Sequence, residues 1–316
     1  MKVAVTGAAG FIGSRLVARL LAAGDEVLGI DDLSLGTRDH LGASLTHPRM
    51  RFVELDCRSP DLVPAVRGFV PQRVIHLAAN SDIGKGTKEP ATDLERTFLT
   101  TQATLEAARQ AGVKEFVLAS TSAVYGEVPG DIREDHGPLA PISLYGAAKL
   151  ASEAYVSAYA SLYGMKAWVF RFPNVVGPRL THGAIYDFVR RLSRDRTRLT
   201  VLGDGTQNKP YLDVDDLLDA IALGVSQPAE PVATYNVAGE GMTSVREIAE
   251  IVREELGLPD ARIEYGQGNR GWPGDVPTFS YDTRKIRALG WKPTRTSTEA
   301  VRASVRAEVE ACRRSS

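Results

Sequence analysis

At 316 residues the chain is long enough for one large domain or two lobes around an extensive core. Its content of 43% apolar and 24% charged residues is typical of a globular protein, and a net charge of −1 gives no electrostatic reason to expect nucleic acid or an anionic membrane as a partner. No apolar run reaches the ~18 residues of a membrane span, and the first residues lack the features of a signal peptide. Cys57 and Cys312 are far apart without metal-ligand spacing, so we expect no metal site and a reducing, cytoplasmic compartment.

The chain begins with the pattern strand, glycine-rich turn, helix. The apolar run Lys2 to Val5 leads into Gly7, Gly10 and Gly13, and an amphipathic stretch follows over 14–23. Glycines at this spacing permit a tight turn, close approach of a pyrophosphate to the backbone, and close packing of the helix on the strand. The amide groups and dipole at the start of the helix then favour phosphate charge, so the pattern predicts a dinucleotide site.

The second apolar run, residues 26–30, ends in Asp31 and Asp32. An acidic residue about 20 positions beyond the glycines, at the end of a strand, accepts hydrogen bonds from an adenosine ribose. Two carboxylates repel a 2′-phosphate, so we expect NAD rather than NADP.

Apolar runs and helical patterns alternate through the first half of the chain, which predicts an α/β fold with a Rossmann-type doubly wound parallel sheet. The predicted strands are 2–6, 26–31, 50–55, 73–77, 114–120 and 166–172. The predicted helices are 12–23, 60–68, 92–112 and 143–164. The outer faces of the last two helices either pair with a second subunit, as in a homodimer, or simply pack on the sheet.

The pattern changes after Phe172. We expect helices at 184–194, 213–226, 244–257 and 296–313, and strands near 198–202 and 234–237. We therefore predict an NAD-binding domain over 1–173, with return segments near 213–238. A smaller lobe is expected over 174–212 and 239–316.

The predicted strand 114–120 leads into Thr121, and Tyr145 and Lys149 follow on a predicted helix. Residues four apart share a helix face, so the phenol and the ammonium project together. A neighbouring ammonium and a cationic nicotinamide ring favour the phenolate and lower the tyrosine pKa. The phenolate can then take a proton from a sugar hydroxyl as a hydride leaves the same carbon, with the Thr121 hydroxyl bridging the two oxygens.

Over nearly its whole length the chain resembles extended short-chain dehydrogenases/reductases of the nucleotide-sugar epimerase and dehydratase group. The resemblance is carried by the glycine motif, Asp31 to Gly36, Asp56-Cys57, His76 to Ala79, the Thr121/Tyr145/Lys149 set, Asn174 to Pro178 and Gly203 to Thr206. It implies a bound NAD, with Asp31 on the adenosine ribose, Asp56 and Cys57 beside the adenine, and Leu77 to Ala79 along the cofactor. The other cofactor contacts implied are Phe11, Ile12, Asp32, Leu33, Ser34, Gly36, Ala78, Ser120, Tyr145, Lys149 and Phe172.

The resemblance also implies a nucleotide-sugar substrate. Asn174, Lys209 and Arg270 would contact the diphosphate, the backbone at Thr200 and Leu202 would hold the base, and Phe279 would face the 2-substituent of the sugar. The other substrate contacts implied are Ser81, Thr121, Ser122, Tyr145 and Arg179.

The residues after Thr121 distinguish among the family's reactions. Dehydratases of the family carry Asp-Glu there and a decarboxylating relative carries Glu two places on, whereas this chain has Ser122-Ala123. Without those carboxylates the expected reaction is 4-epimerisation of a UDP-hexose of the UDP-glucose/UDP-galactose type, through a transient 4-keto sugar.

Three alternatives stay open. The first is a UDP-glucuronate 4-epimerase with Arg179 on the carboxylate, the second is a nucleotide-sugar dehydratase or reductase, and the third is an NAD-sensing protein, which would not need Thr121, Tyr145 and Lys149. The chain also departs from the family's pattern. It has Thr97-Phe98-Leu99-Thr100-Thr101 where relatives have Asn-Val-x-Gly-Thr, Lys209 where an Arg is common, and Arg270 two residues earlier than usual.

Overall fold

A computed structural model describes residues 1–229 and 231–315. The strands, numbered in chain order, are β1 (Lys2–Thr6), β2 (Glu26–Asp31), β3 (Met50–Glu54), β4 (Arg73–His76), β5 (Glu115–Thr121), β6 (Asp131–Ile132), β7 (Lys166–Phe172), β8 (Asn174–Val176), β9 (Arg198–Val201), β10 (Asn208–Lys209), β11 (Tyr211–Asp213), β12 (Val232–Asn236), β13 (Thr243–Ser244), β14 (Arg262–Tyr265) and β15 (Ser280–Tyr281). The α-helices are α1 (Phe11–Ala22), α2 (Arg38–Leu41), α3 (Leu62–Phe69), α4 (Ile83–Lys88), α5 (Ala91–Asp93), α6 (Thr100–Gln110), α7 (Leu144–Tyr163), α8 (Ala184–Arg194), α9 (Val214–Val225), α10 (Val245–Glu255), α11 (Arg284–Arg287) and α12 (Ser297–Ser315).

The chain divides into two compact units. The first comprises Met1–Val124, Leu139–Arg171 and Ile221–Tyr235, and the second comprises Tyr125–Pro138, Phe172–Ala220 and the residues from Asn236 onward. The domain assignment made from the sequence remains a prediction.

The first unit is built on a sheet with the strand order β12-β7-β5-β4-β1-β2-β3, which spans seven strands of the described chain. Parallel registers join β3 to β2, β2 to β1, β1 to β4 and β4 to β5. Apolar side chains of the strands and helices form its core, among them Leu28, Leu105, Phe116, Leu118 and Val156. The predicted Rossmann-type doubly wound α/β fold is confirmed.

The second unit has a separate core. It is formed by side chains that include Val189, Leu192, Ile248, Val252 and Val305, and helices α8, α10 and α12 pack against one another around it. Short strand pairs complete the unit: β8 with β11, β9 with β14 and β6 with β15 are parallel, and β10 with β13 is antiparallel.

The predicted helix 92–112 is wrong as a single α-helix. α5 is followed by a π-helical turn, Leu94–Leu99, and only then by α6. Threonine hydroxyls bond to backbone carbonyls here, with Thr100 donating to Glu95 at 3.2 Å and Thr104 to Thr100 at 2.8 Å. Hydroxyls that compete for carbonyl groups loosen regular helix pairing, and π-turns often accompany functional sites.

Across the described ranges, no helix combines the length and the apolar character that a bilayer span requires.

Candidate active site

The turn after β1 is shaped by contacts that only glycine permits. Gly7 has a φ of +70°, and a Cβ on it would lie 2.8 Å from the Ala78 backbone nitrogen. A Cβ on Gly13 would lie 1.9 Å from the Gly7 carbonyl oxygen. Any side chain at either position would therefore push α1 and the turn away from the sheet.

Gly10 differs from these two glycines because it has open space beside it. It is the N-cap of α1, and a Cβ there would meet only the Gly7 oxygen, at 3.3 Å. No described side chain caps the helix at this residue. The free amide end and the missing side chain together fit a pyrophosphate, which is the group that the sequence predicts here.

Asp31 at the end of β2 ties the turn to the sheet. Its Oδ2 accepts the Ala9 amide at 2.9 Å and its Oδ1 accepts the Leu33 amide at 2.9 Å. Burial raises the pKa of the carboxyl, although both amide bonds oppose that shift. Each oxygen keeps a second lone pair, so the carboxylate can still accept a ribose hydroxyl.

The negative charge of the neighbouring Asp32 is partly offset by Arg96. Its Oδ1 accepts from the Ser34 amide at 3.0 Å and from the Ser34 hydroxyl at 2.6 Å, and Arg96 donates to its Oδ2 at 3.3 Å. Repulsion of a 2′-phosphate therefore rests mainly on Asp31, because Arg96 offsets the charge of Asp32.

The remaining cofactor candidates of this unit follow strands at one edge of the sheet. In register, Thr6 lies beside Ile30 and His76, and His76 lies beside Leu118. The chain therefore leaves β1, β2, β4 and β5 at the same carboxyl edge, where open α/β sheets bind ligands. Residues placed there are Leu77, Ala78, Ala79 and Ser120, and Asp56 and Cys57 follow β3.

His76 is a core residue of the first unit. Its Nδ1 lies 2.7 Å from the Thr6 hydroxyl and its Nε2 lies 3.0 Å from the Thr101 hydroxyl. Burial, and to a smaller extent the charge of Lys149, lowers its pKa to about 3, so the ring is neutral at physiological pH.

Two elements of the first unit bring the predicted catalytic residues together. Thr121 ends β5, while Tyr145 and Lys149 occupy successive turns of α7. Tyr145 and Thr121 are joined by a side-chain hydrogen bond. The Lys149 ammonium lies 6.0 Å from the centre of the Tyr145 ring and donates to the Ala119 carbonyl at 2.8 Å.

The start of α7 sets this geometry. The Ser143 hydroxyl caps the helix by accepting the Gly146 amide at 3.1 Å. A Cβ on Gly146 would lie 2.5 Å from the Ala123 carbonyl oxygen. The glycine thus lets the first turn of α7 pack directly on the turn that follows Thr121.

Burial shifts the pKa values of both predicted catalytic groups. It raises the pKa of Tyr145 to about 12, and the hydrogen bond from Thr121 only partly opposes it. Burial also lowers the pKa of Lys149 to about 8, because removal from water disfavours both charged forms. The lowering of the Tyr145 pKa that Lys149 and a nicotinamide ring are together expected to cause stays a prediction.

The sequence analysis did not predict the ion pair between Glu153 and Arg171. Glu153, one turn further along α7, binds the Arg171 guanidinium through both oxygens, the shortest contact being 2.6 Å. The Ser120 hydroxyl also donates to Glu153, at 2.5 Å, so this predicted cofactor contact already has a partner. Spacing of i+4 from Lys149 was the only signal in the sequence.

The second unit brings two of the predicted diphosphate contacts, Lys209 and Arg270, to the same residue, Asp275. Lys209 forms an ion pair with the buried Asp275 and lies 5.3 Å from the centre of the Trp272 ring. Arg270 donates to the Asp275 carbonyl at 2.9 Å and to Glu127 at 2.5 Å. Both cations are thus held in place by carboxylates of the same unit.

Other substrate candidates of this unit lie on separate short elements. Asn174 begins β8 and is joined to Tyr211 of β11 by a side-chain hydrogen bond. Phe279 is 7% exposed, with its ring 5.6 Å from that of Tyr281. Thr200 in β9, Leu202 after it and Arg179 after β8 are exposed, and Phe172 also falls in this unit.

Comparison with known proteins identifies the family of the chain. Residues 3–238 match the model of the NAD dependent epimerase/dehydratase family. A UDP-glucose 4-epimerase of Mycolicibacterium smegmatis is 35% identical over 299 residues, which cover 93% of this chain and 94% of that one.

Solved structures give the same result. The UDP-glucose 4-epimerase of Thermus thermophilus in complex with NAD is 34% identical, with a TM-score of 0.86 over 98% of this chain and 99% of that one. The UDP-glucuronic acid 4-epimerase of Bacillus cereus, in complex with UDP-glucuronic acid and NAD, is 26% identical, with a TM-score of 0.88 over 98% and 100%. With its glycine turn, its Tyr145/Lys149 pair and these matches, the chain belongs to the NAD-dependent epimerase/dehydratase family of extended short-chain dehydrogenases/reductases, and it is an enzyme that uses NAD.

Proposed function

We propose that the enzyme is a UDP-hexose 4-epimerase that interconverts sugars of the UDP-glucose/UDP-galactose type. The observation that carries the proposal is the composition of the site around Thr121. The Tyr145 phenol and the Thr121 hydroxyl are available there for proton transfer, and the two residues after Thr121, Ser122 and Ala123, carry no carboxylate. Elimination of water needs an additional acid and base, whereas epimerisation needs only a proton acceptor that later returns its proton.

Tyr145 is proposed as that acceptor. Its phenolic oxygen takes the proton of the sugar's 4-hydroxyl and gives it back when the 4-keto sugar is reduced from the opposite face. Thr121, already hydrogen-bonded to Tyr145, orients the sugar oxygen toward it. Lys149 holds the positive charge that stabilises the phenolate, fixed by its bond to the Ala119 carbonyl.

The cofactor contributes the redox part of the reaction. When bound, NAD⁺ supplies a hydride acceptor for C4 and a positive charge near the phenol. Gly7, Gly10 and Gly13 would receive its pyrophosphate at the start of α1, and Asp31 its adenosine ribose. Because the hydride returns to the sugar, the enzyme consumes no NAD and needs none added if it retains the cofactor.

The second unit is proposed to bind the UDP moiety. Lys209 and Arg270 would contact the diphosphate, in competition with their partners Asp275 and Glu127. Lysine offers a point charge without the bidentate fork of arginine, so its contact is the less directional of the two. The exposed backbone next to Leu202 is the proposed contact for the base.

A UDP-glucuronate 4-epimerase is the second candidate. Arg179 favours it, because an exposed guanidinium in the loop after β8 suits a sugar carboxylate. The structural likeness to the Bacillus cereus enzyme supports it as well. A dehydratase or reductase is disfavoured by Ser122 and Ala123.

We also propose a homodimer, while a cytoplasmic location remains a prediction from cysteine usage. Large apolar side chains are exposed on α7 and on the turns before α6, among them Leu94, Leu99, Tyr155 and Leu162. Four helices from two copies would cover these residues. Light scattering should give twice the chain mass for the wild type and the chain mass for Leu162→Glu, with Met242→Glu, an exposed apolar residue of the second unit, as the control.

Incubation with separate sugar nucleotides tests the proposed function. UDP-glucose and UDP-galactose should each yield the other, and the 4-epimer should form from UDP-glucuronate much more slowly. Preferential conversion of UDP-glucuronate, abolished by Arg179→Met, would instead establish the second candidate.

A further inference from the structure

Asp93 is a buried carboxylate that the proposed mechanism does not yet use. It ends α5 directly before the π-helical turn and is 1% exposed. Its Oδ1 accepts from the Asn80 side-chain amide at 2.8 Å. Among the described residues its Oδ2 has no hydrogen-bond partner, although the atom is buried. A carboxylate oxygen left without a partner costs free energy unless a nearby charge compensates it.

The surroundings fix this carboxylate in place. A Cβ on Gly86 of α4 would lie 1.8 Å from Oδ2, so a residue with a side chain there would displace it. Asn80 is itself held, because its backbone amide donates to the Thr97 hydroxyl at 3.1 Å and its side chain donates to the Asp82 carbonyl at 3.0 Å.

α5 and the π-helical turn pack against α7, which carries the ammonium of Lys149, itself only 2% exposed. Two carboxylates interact electrostatically with it, Glu153 and Asp93. Glu153 is already neutralised by Arg171, at 2.6 Å. His76, which also interacts with Lys149, is neutral, and so is the Tyr145 phenol at rest. Within the described part of the chain, Asp93 is therefore the one of these carboxylates that no arginine offsets. Burial raises its pKa, and Asn80 and Lys149 oppose that shift.

We propose that Asp93, held by Asn80, is a positioning residue that keeps Lys149 charged beside Tyr145. The inference rests on the proposed epimerase function, because the charge of Lys149 matters to catalysis only if Tyr145 transfers a proton.

The sign of the effect follows from the charges. A buried anion stabilises the ammonium form of Lys149, so removing the anion lowers the pKa of Lys149 from about 8. The same anion disfavours the phenolate of Tyr145, so its removal also lowers the tyrosine pKa. Both limbs of the pH profile of kcat should therefore move toward acid in Asp93→Asn, while KM stays the same.

A direct titration tests this without relying on turnover. The signal of Lys149 in protein carrying ¹³C-labelled lysine is identified by its loss in Lys149→Met, and is followed against pH by NMR. Asp93→Asn should lower the Lys149 pKa by about 1 unit or more. Asp82→Asn is the matched control, since it removes an exposed carboxylate two residues from Asn80 and should leave the titration unchanged.

An unchanged Lys149 titration in folded Asp93→Asn protein would overturn the role of Asp93, whatever the activity. Absence of epimerisation would instead overturn the proposed function alone. If Asp93→Asn does not fold, the coupling is measured in reverse in Lys149→Met, with the ¹³C signal of Asp93 assigned by through-bond correlation. Loss of the cation should raise the pKa of Asp93, and an unchanged value would again overturn the proposal.

Discussion

At the scale of single residues, burial governs the acid–base chemistry of the site. Tyr145 and Lys149 both lose water, which makes the phenol a weaker acid and the ammonium a stronger one. The phenolate therefore forms readily only where positive charge surrounds it, from Lys149 and from the oxidised cofactor. The site is suited to proton transfer at the moment when the hydride leaves the sugar.

Replacing the phenol tests its role. Tyr145→Phe should reduce kcat for epimerisation by at least ~10²-fold, since a general base is typically worth that much, and should leave bound NAD unchanged. Activity is followed by conversion of UDP-galactose, and NAD by its release on denaturation. Tyr163→Phe, at the exposed end of the same helix, is the control. Near-normal turnover by Tyr145→Phe would remove Tyr145 from the mechanism.

The pH dependence should reflect Lys149. Its pKa of about 8 lies below the ordinary value for lysine, so the ammonium is present below pH 8 and is lost as the pH rises through that value. The phenolate then loses its stabilising charge, and kcat/KM should fall on the alkaline side. The ordinary pKa of a lysine is about 10. A kcat/KM that stays level from pH 7 to about pH 10 would therefore contradict the role of Lys149 in the alkaline fall.

Phe279 is predicted to limit the size of the sugar's 2-substituent. The ring is buried against Tyr281, and a packed site accommodates added atoms only at a strain of ~1–3 kcal/mol. UDP-N-acetylglucosamine should be a poor substrate of the wild type, and Phe279→Cys should improve it selectively. Similar kcat/KM for the plain and the N-acetylated sugars would show that Phe279 only packs within its unit.

At the scale of elements, a substitution in the glycine turn before α1 can distinguish an effect on NAD binding from an effect on packing. An alanine Cβ at Gly10 would contact only the Gly7 oxygen, at 3.3 Å, but would fill the space proposed for the pyrophosphate. Gly10→Ala should therefore stay folded and lose most of its bound NAD. Gly68→Ala, in α3 with no atom within 4 Å of the added carbon, should retain it. Calorimetry for folding and absorbance of released NAD measure the two effects, and full NAD retention by Gly10→Ala would argue against this phosphate site.

Local patterns in the sequence were sufficient to predict the main elements. β1 and β2 match their predicted bounds, and α1 and α7 differ from theirs by one residue at each end, because apolar periodicity and glycine turns are local signals. The π-helical turn at Leu94 was not predictable, since it arises from threonine hydroxyls that bond to carbonyl groups of the backbone. β10, β13 and β15 are two residues long, too short for a periodic pattern.

In the candidate site too, local features could be predicted from the sequence, whereas contacts that depend on tertiary packing could not. The glycines and the pair Tyr145/Lys149 follow from spacing along the chain. The Glu153–Arg171 pair and the contact of Asn80 with Asp93 join residues that are distant in sequence or on different elements, and their meeting depends on how helices pack on the sheet. The burial that raises the pKa of Tyr145 could not be predicted for the same reason, because spacing reports which groups are close but not how completely water is excluded.

At the scale of the whole molecule, the two units divide the proposed work. The first carries the glycine turn and the residues Thr121, Tyr145 and Lys149, and the second carries Lys209 and Arg270 with their carboxylate partners. This division leaves the chemistry to the first unit and the recognition of the nucleotide to the second. In the proposed function the sugar would be distinguished by side chains such as Arg179 and Phe279, which local motifs specify least.

The most direct test of the proposed 4-epimerisation is a single incubation with UDP-glucose deuterated at C4 and without added cofactor. The mechanism predicts UDP-galactose that keeps the deuterium at C4, because the hydride leaves and returns to the same carbon within one turnover. NMR of the product distinguishes the sugars and locates the label. A 4-keto-6-deoxy sugar, or no conversion by protein shown to contain NAD, would contradict the proposed UDP-hexose 4-epimerase.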